Sequence, residues 1–249
     1  MPPPFDHHRF SAIAHADLAI CNPLSDAALD EAIEQLELLP GARILDLGCG
    51  KATALAKTVE RYQARGVGVD ISPLMLAEAR VTAMHVRSGE LELVEADATT
   101  FRSDAPFDAV VCLGPGWAHD SFAGLVGTLL PHLAERGLLL IGEGYWRTEP
   151  TETYLSMLGA TRDELETHEG NIRVGMDAGL IPLWASTASV HDWDRYEWRY
   201  LATVERWAAS HGEDPNAAAF LARARHGRDR YLAGGRDQLG FGCYLFRSP

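Results

Sequence analysis

The segment of the sequence best suited to ligand chemistry is a glycine-rich loop, Ile44-Leu-Asp-Leu-Gly-Cys-Gly-Lys-Ala52. Asp46 ends a predicted strand, and the glycines at 48 and 50 allow the backbone to turn tightly and approach a ligand closely. The helix predicted to follow would direct its free N–H groups at that ligand and favour anionic groups. Asp70 ends the next predicted strand, where a carboxylate can accept both hydroxyls of a ribose. The pattern predicts a nucleoside-containing cofactor at the carboxyl ends of the strands.

Two other glycine-loop chemistries fit this segment poorly. A dinucleotide fingerprint requires a third glycine at position 53, which is Thr53, so a nicotinamide oxidoreductase is disfavoured. A P-loop requires Ser or Thr directly after Gly-Lys, whereas Gly50-Lys51 is followed by Ala52.

Together with three further motifs, the loop resembles the class I S-adenosylmethionine-dependent methyltransferases over about residues 41–147. The loop departs from many members in one position, because Ala52 stands where they have a third glycine. The four matching motifs, in chain order, are Asp46-x-Gly48-x-Gly50, Val69-Asp-Ile-Ser-Pro-Leu-Met75-Leu, Glu95-Ala-Asp97-Ala98 and Phe107-Asp108-Ala-Val-Val.

The resemblance implies S-adenosylmethionine as cofactor and assigns contacts to it. The glycine loop would pass under the methionine and adenosine, Asp70 would hold the ribose, and Asp97 would accept from the adenine amino group. Met75 would pack on the adenine, and the end of the fourth strand would line the methionine side. The implied cofactor residues are Asp46, Gly48, Cys49, Gly50, Asp70, Ile71, Met75, Asp97, Ala98, Leu113 and Gly114.

The acceptor of the methyl group is expected above the ends of the fourth and fifth strands. Methyl transfer from a sulfonium depends mainly on alignment, and a base is needed only if the acceptor must lose a proton. The candidates for catalysis are Tyr145, Glu143 and His119, and those for acceptor binding are His15, Trp117, Trp146, Arg147, Trp193 and Tyr196. Each of these residues could instead have a purely structural role. Glu143 could bind an acceptor amine or pair with Arg147, and the aromatic segment 191–200 could be a lid or a helix docked on the core.

The elements that must position these residues are short apolar strands alternating with helices. Strands are predicted at Arg43–Leu47, Gly66–Asp70, Leu91–Val94, Asp108–Leu113, Gly137–Gly142, Leu180–Val190 and Gly240–Phe246. Continuous apolar strands indicate a mostly parallel sheet covered on both faces. The expected fold is α/β, a Rossmann-like, doubly wound, seven-stranded sheet with an antiparallel last strand and N-terminal and C-terminal helical caps. Residues 1–40 would form the N-terminal cap segment, and residues 41–249 a methyltransferase domain with a helical insertion at about 191–236.

Charge and composition narrow the partners. The 249 residues have a formal net charge of −13, which should repel nucleic acid and anionic membranes. The cysteines lack zinc-ligand spacing, and no metal site is expected. One local exception is a basic cluster, read as a solvated helix face or as a site for an acidic substrate: Arg223, Arg225, Arg228, Arg230 and Arg236.

These features favour a cytoplasmic enzyme that methylates a small molecule as a monomer or homodimer. A non-catalytic S-adenosylmethionine-binding module and a nucleic-acid methyltransferase are the alternatives.

Overall fold

The computed structural model describes residues 5–114 and 121–249, and its framework is a seven-stranded sheet in the order β3-β2-β1-β4-β5-β7-β6. Neighbouring strands are parallel except around β7, which is antiparallel to both β5 and β6. The expected fold class is therefore confirmed. The strands are β1 Arg43–Leu47, β2 Arg65–Asp70, β3 Glu90–Glu95, β4 Phe107–Leu113, β5 Leu133–Trp146, β6 Ile181–Thr187 and β7 Leu239–Arg247.

Helices cover both faces of the sheet because alternate strand residues are apolar on both sides. Ile44 and Val111 pack under α2, α3 and α4 on one face, whereas Leu45 and Val110 pack under α5 and α7 on the other. The helices are α1 His7–Ala14, α2 Asp26–Glu34, α3 Thr53–Tyr62, α4 Pro73–Ala83, α5 Phe122–Leu129, α6 Glu152–Leu158, α7 His168–Asp177, α8 Val190–Ser210, α9 Ala217–Arg230 and α10 Arg236–Gln238.

A separate apolar cluster joins the N-terminus to the segment between β6 and β7. Phe10 and Ala14 of α1 pack against Leu201 of α8 and Phe220 of α9. A π-helical turn, Tyr231–Gly235, then leads from α9 into α10 and β7. We call α1, α8 and α9 the cap, which lies over the edge of the sheet where the carboxyl ends of β1 and β2 meet the glycine loop.

Some elements differ from the sequence predictions. The helix that the sequence predicts directly after Gly50 begins only at Thr53, because Ala52 adopts a left-handed conformation with φ of 56°. β5 continues to Trp146 rather than ending at Gly142, since it pairs with β7 over that length. The N-terminal α1 was not predicted as a helix; Asp6 caps it by accepting from the N–H of Arg9.

Within the described ranges, no helix is both long enough and apolar enough to cross a membrane.

Candidate functional site

The glycine loop is fixed against the end of β2 by backbone hydrogen bonds. The N–H groups of Gly48 and Cys49 both donate to the carbonyl of Val69, at 2.8 and 3.0 Å. Gly48 has φ of 78° and Gly50 has φ of 53°, a region that glycine occupies without cost. A Cβ added at Gly48 would meet nothing within 4 Å, so the loop faces open space.

Asp70 connects the glycine loop to the start of α4. One carboxylate oxygen accepts from the N–H of Gly50 and the other from the N–H of Ser72, each at 2.8 Å. Each oxygen retains a further lone pair for a ligand. The carboxylate is therefore held in one orientation at the edge of the cavity described below.

Asp46 lies beneath the loop and is 3% exposed. Burial, together with the nearby charge of Asp70, raises its pKa to about 7. Near neutral pH this carboxyl is therefore divided between its neutral and ionised forms.

A segment that we call the strap, residues 15–24, crosses over the glycine loop. The buried ammonium of Lys51 donates to the carbonyls of His15 and Ala16, at 2.9 and 3.2 Å. At the other end of the strap, the Asn22 amide donates to the carbonyl of Leu113 at 3.2 Å. The strap is thus tied to both the loop and the end of β4.

A cavity of about 600 Å³ opens between the loop, α4 and the cap, and we call it the loop cavity. This volume lies within the usual range for ligand sites. Its walls include seven of the predicted cofactor residues: Gly48, Gly50, Asp70, Ile71, Met75, Leu113 and Gly114. Asp46 and Cys49 line a smaller recess under the strap.

A second cavity of about 300 Å³ lies inside the cap, and we call it the cap cavity. Its walls come from α1, α6, α8 and α9, and from the π-helical turn. Four residues line both cavities and mark where they adjoin: Phe10, His15, Tyr200 and Arg223. Three tyrosines that line only the cap cavity, Tyr154, Tyr196 and Tyr231, make its wall largely aromatic.

His15 and Tyr196 form a hydrogen-bonded pair at this junction. The Nδ1 of His15 lies 2.8 Å from the carbonyl of Ser11, which can only accept, so Nδ1 bears the proton. Nε2 then accepts from the Tyr196 hydroxyl at 2.9 Å. Burial lowers the pKa of His15 to about 4, and the imidazole is neutral at physiological pH.

Two predicted cofactor residues lie outside the cavity walls. Asp97 is exposed after β3 and accepts from the backbone and hydroxyl of Thr99, at 2.8 and 2.7 Å. Ala98 packs against the apolar cluster beneath α5. The neighbouring Ala96 N–H donates to the carbonyl of Asp70, which brings this turn next to the end of β2.

The predicted acceptor residues at the end of β5 line neither cavity. Trp146 is buried, packs on Tyr154 and donates its indole N–H to the carbonyl of Arg162 at 2.8 Å. Tyr145 is 7% exposed and packs beside His168. Arg147 extends to the carbonyl of Arg236 at 3.4 Å. Tyr145 and Trp146 are thus buried in packing contacts, whereas Arg147 is half-buried.

Glu143 faces a small recess between β5 and α7. It accepts from the N–H of Gly144 at 2.7 Å, and burial raises its pKa. Of the two alternatives for Glu143, the pairing with Arg147 is absent among the described residues, where Glu143 forms no ion pair.

The remaining predictions from the sequence concern Trp193, Trp117, His119 and the absence of a metal site. Trp193 stacks on Tyr231 at 6.3 Å between ring centroids and packs against the core. Trp117 and His119 lie outside the described residues. In residues 5–114 and 121–249, no group of three His, Cys, Asp or Glu side chains is placed to hold a metal ion.

Sequence reasoning did not assign Phe10, Glu197 or Tyr200 to a site, and it left Arg223 and Arg230 open as part of a solvated helix face or of a site for an acidic substrate. The available signal was helical spacing, since residues three, four or seven apart share a helix face. Glu197 and Tyr200 are three apart on α8, and Arg223 and Arg230 are seven apart on α9.

Comparison with known proteins agrees with this geometry. Residues 44–137 match the family model for a methyltransferase domain. The uncharacterized protein YjhP of Escherichia coli is 29% identical over 242 residues, covering 96% of this chain and 98% of YjhP. Its X-ray structure superposes with a TM-score of 0.90 over 97% of this chain.

A solved S-adenosylmethionine-dependent methyltransferase of Geobacter sulfurreducens, in complex with S-adenosyl-L-homocysteine, has a TM-score of 0.90 at 27% identity. It covers 97% of this chain and 98% of its own. The trans-aconitate 2-methyltransferase of an Azoarcus strain is 36% identical over 116 residues, which is 46% of this chain and 44% of that enzyme. The chain thus matches less than half of the length of this relative.

Proposed function

The chain belongs to the class I S-adenosylmethionine-dependent methyltransferases, and we propose that it methylates a small molecule held in the cap cavity. The observation behind this proposal is the junction between the two cavities. One cavity is bounded by the glycine loop and Asp70, and the other by the cap, and they share four wall residues.

The residues of the loop cavity suit the cofactor of this family. The open face above Gly48 leaves room for a ligand against the backbone. Asp70, held by two backbone N–H groups, presents free lone pairs for the ribose hydroxyls. Met75 and Ile71 offer apolar surface for a base. Asp97 and Ala98 remain proposed adenine contacts, because their turn adjoins β2.

When bound, S-adenosylmethionine supplies an electrophilic methyl group on a sulfonium sulfur. The thioether that remains after transfer is a good leaving group. The protein's task is then to align the acceptor with that methyl group and to exclude water. Phe10 and Tyr200 supply apolar walls at the junction. The hydrogen bond between His15 and Tyr196 fixes both rings there, and we propose that they orient the acceptor.

The pKa of His15 makes it a weak base, so its proposed role is positioning rather than proton removal.

Two properties support a small molecule over a macromolecule. The net charge of −13 disfavours nucleic acid, and the cap cavity, at about 300 Å³, has the size of a small-molecule site. Relatives over part of the chain are named for small acceptors, as in trans-aconitate 2-methyltransferase and ubiquinone biosynthesis O-methyltransferase. A cytoplasmic location and a monomeric or dimeric state remain predictions.

A substitution that fills only the cap cavity tests the proposal. Gly227 lines this cavity, and a Cβ there would meet nothing within 4 Å. Gly227→Phe is expected to retain S-adenosylhomocysteine binding and to lose at least 90% of methyl transfer to a pool of small metabolites, followed by mass spectrometry.

Gly212→Phe is the matched control, because Gly212 also has open space around it and lies outside both cavities. It should retain both binding and transfer. Undiminished transfer by Gly227→Phe, or transfer to nucleic acid in place of any small molecule, would contradict the proposal.

A further inference from the structure

The basic cluster on and after α9 divides into two groups in the structure. Three of its arginines form surface ion pairs: Arg225 with Glu205 at 2.7 Å, Arg228 with Asp229 at 2.7 Å, and Arg236 with Asp194 at 2.9 Å. Exposed ion pairs of this kind contribute little to the stability of the protein. They show, however, that each of these three arginines already has a carboxylate partner within the protein.

Arg223 and Arg230 differ from these three. Neither forms an ion pair with any described residue, and both line the cap cavity. Their spacing of seven residues puts them on one face of α9, about 10 Å apart along the helix axis. One face of α9 therefore presents two guanidinium groups without carboxylate partners to an aromatic cavity.

Arg230 is the more enclosed of the two. Its Nε is buried and has no hydrogen-bond partner in the structure. Buried N–H donors nearly always have partners, because leaving one unpaired forfeits its hydration without replacing it. Arg223 is more exposed and lies over the rings of Phe5 and Phe10, 5.5 and 5.8 Å from their centroids, where the two cavities meet.

The other charged groups around the cavity offset this positive charge only in part. Asp194 is already engaged by Tyr231 and Arg236. His15 is neutral at physiological pH. Glu197 forms no ion pair with Arg230, although the charge of Arg230 opposes the burial that raises the pKa of this carboxyl to about 7, so the carboxyl is partly protonated near neutral pH. In a protein with net charge −13, this wall is locally positive.

We propose that the methyl acceptor carries a carboxylate or phosphate group, which Arg230 binds inside the cap cavity while Arg223 attracts it at the junction. The inference rests on the proposed function for the identity of the cavity. A guanidinium matches both acid groups through paired hydrogen bonds. The aromatic walls favour an acceptor with a flat apolar body, as in an aromatic acid.

The test uses the full protein saturated with S-adenosylhomocysteine and a panel of matched small aromatics. Each carboxylic acid is paired with its primary amide, for example 4-hydroxybenzoate with 4-hydroxybenzamide, and phenyl phosphate represents the phosphate class. Calorimetric titration is expected to give at least one acid that binds tenfold or more tightly than its neutral partner. Carboxylate and phosphate probes distinguish the two sources of negative charge.

Arginine variants then locate the binding group. Arg230→Gln should weaken the preferred acid at least tenfold with unchanged affinity for S-adenosylhomocysteine, because Arg230 lines only the cap cavity. Arg223→Gln should weaken the same acid two- to fivefold. Arg225→Gln and Arg228→Gln, on the same helix but outside the cavity, are the matched controls and should have no effect. Glu197→Gln should leave acid binding unchanged or tighten it.

Equal binding of acids and amides, no binding by any acid, or an Arg230→Gln protein that keeps its acid preference would each overturn the inference. Failure of S-adenosylhomocysteine itself to bind would instead contradict the proposed function. The two failures are distinguishable because cofactor affinity is measured on the same samples.

Discussion

Asp46 is a buried carboxyl beside a second carboxyl, and its ionisation should affect folding. Its pKa of about 7 in the folded protein lies above the value of about 3.9 in an unfolded chain. Between pH 4 and 7, the folded protein therefore keeps a proton on Asp46 that the unfolded chain has released. The stability that this proton contributes is complete below pH 4 and is lost as the pH rises through 7.

Asp46→Asn should remove that part of the pH dependence. From pH 5 to 8, the unfolding free energy of the wild type should fall relative to the variant, by at most about 3 kcal/mol. Urea unfolding at a series of pH values measures this, with the exposed Asp104→Asn as control. Glu197 shifts in the same direction, so only the difference between the curves isolates Asp46. Parallel curves would show that Asp46 is ionised throughout.

Ala52 is the residue at which the sequence departs from many of the proteins that it resembles. Its left-handed conformation costs a Cβ-bearing residue about 1–2 kcal/mol, whereas its buried methyl group contributes about 0.8 kcal/mol. Ala52→Gly should therefore change the unfolding free energy by no more than about 1 kcal/mol.

Ala52→Val, which adds a branched side chain at the same backbone angle, should lower the unfolding free energy by more than about 2 kcal/mol. Thermal and urea unfolding measure both variants, and exposed Ala27→Val on α2 should cost about 0.5 kcal/mol. A stable Ala52→Val protein would mean that the loop does not have this conformation.

At the scale of the elements, Lys51 is the side chain that ties the start of the strap to the glycine loop. Lys51 donates to two strap carbonyls and is 8% exposed. Lys51→Met keeps the length of the side chain and removes those charged hydrogen bonds, each of about 1.5–3 kcal/mol. Cofactor affinity should fall at least tenfold, and limited proteolysis should cut residues 15–24 faster.

Lys57→Met provides the comparison for this variant, because Lys57 pairs with Asp30 at the surface. It should match the wild type in both assays. If Lys51→Met were equally protected from protease and bound cofactor normally, the strap would be held by other contacts.

For the molecule as a whole, sequence was informative where a function depends on residues close together in the chain. The strands follow apolar runs, and the loop and Asp70 come together because parallel strands end at one edge of the sheet. The cap cavity could not be predicted in this way, because Phe10, Tyr154, Tyr200 and Arg230 meet only through tertiary packing.

Helical spacing identifies which residues share a face, but not which face meets another helix. The aromatic pair on β5 shows that a local sequence pattern can also suggest a site residue where the structure has a packing residue. Tyr145 and Trp146 follow a buried strand, as site residues often do, yet the pairing of β5 with β7 continues past them and makes both part of the packing.

A crystal structure of the protein with S-adenosylhomocysteine would test most directly where methyl transfer takes place. The ribose hydroxyls are predicted to lie on Asp70, with the sulfur directed at the junction formed by Phe10, His15, Tyr200 and Arg223. A sulfur directed instead toward Glu143 and Tyr145, or a ligand bound away from the glycine loop, would contradict the assignment of the cap cavity as the acceptor site.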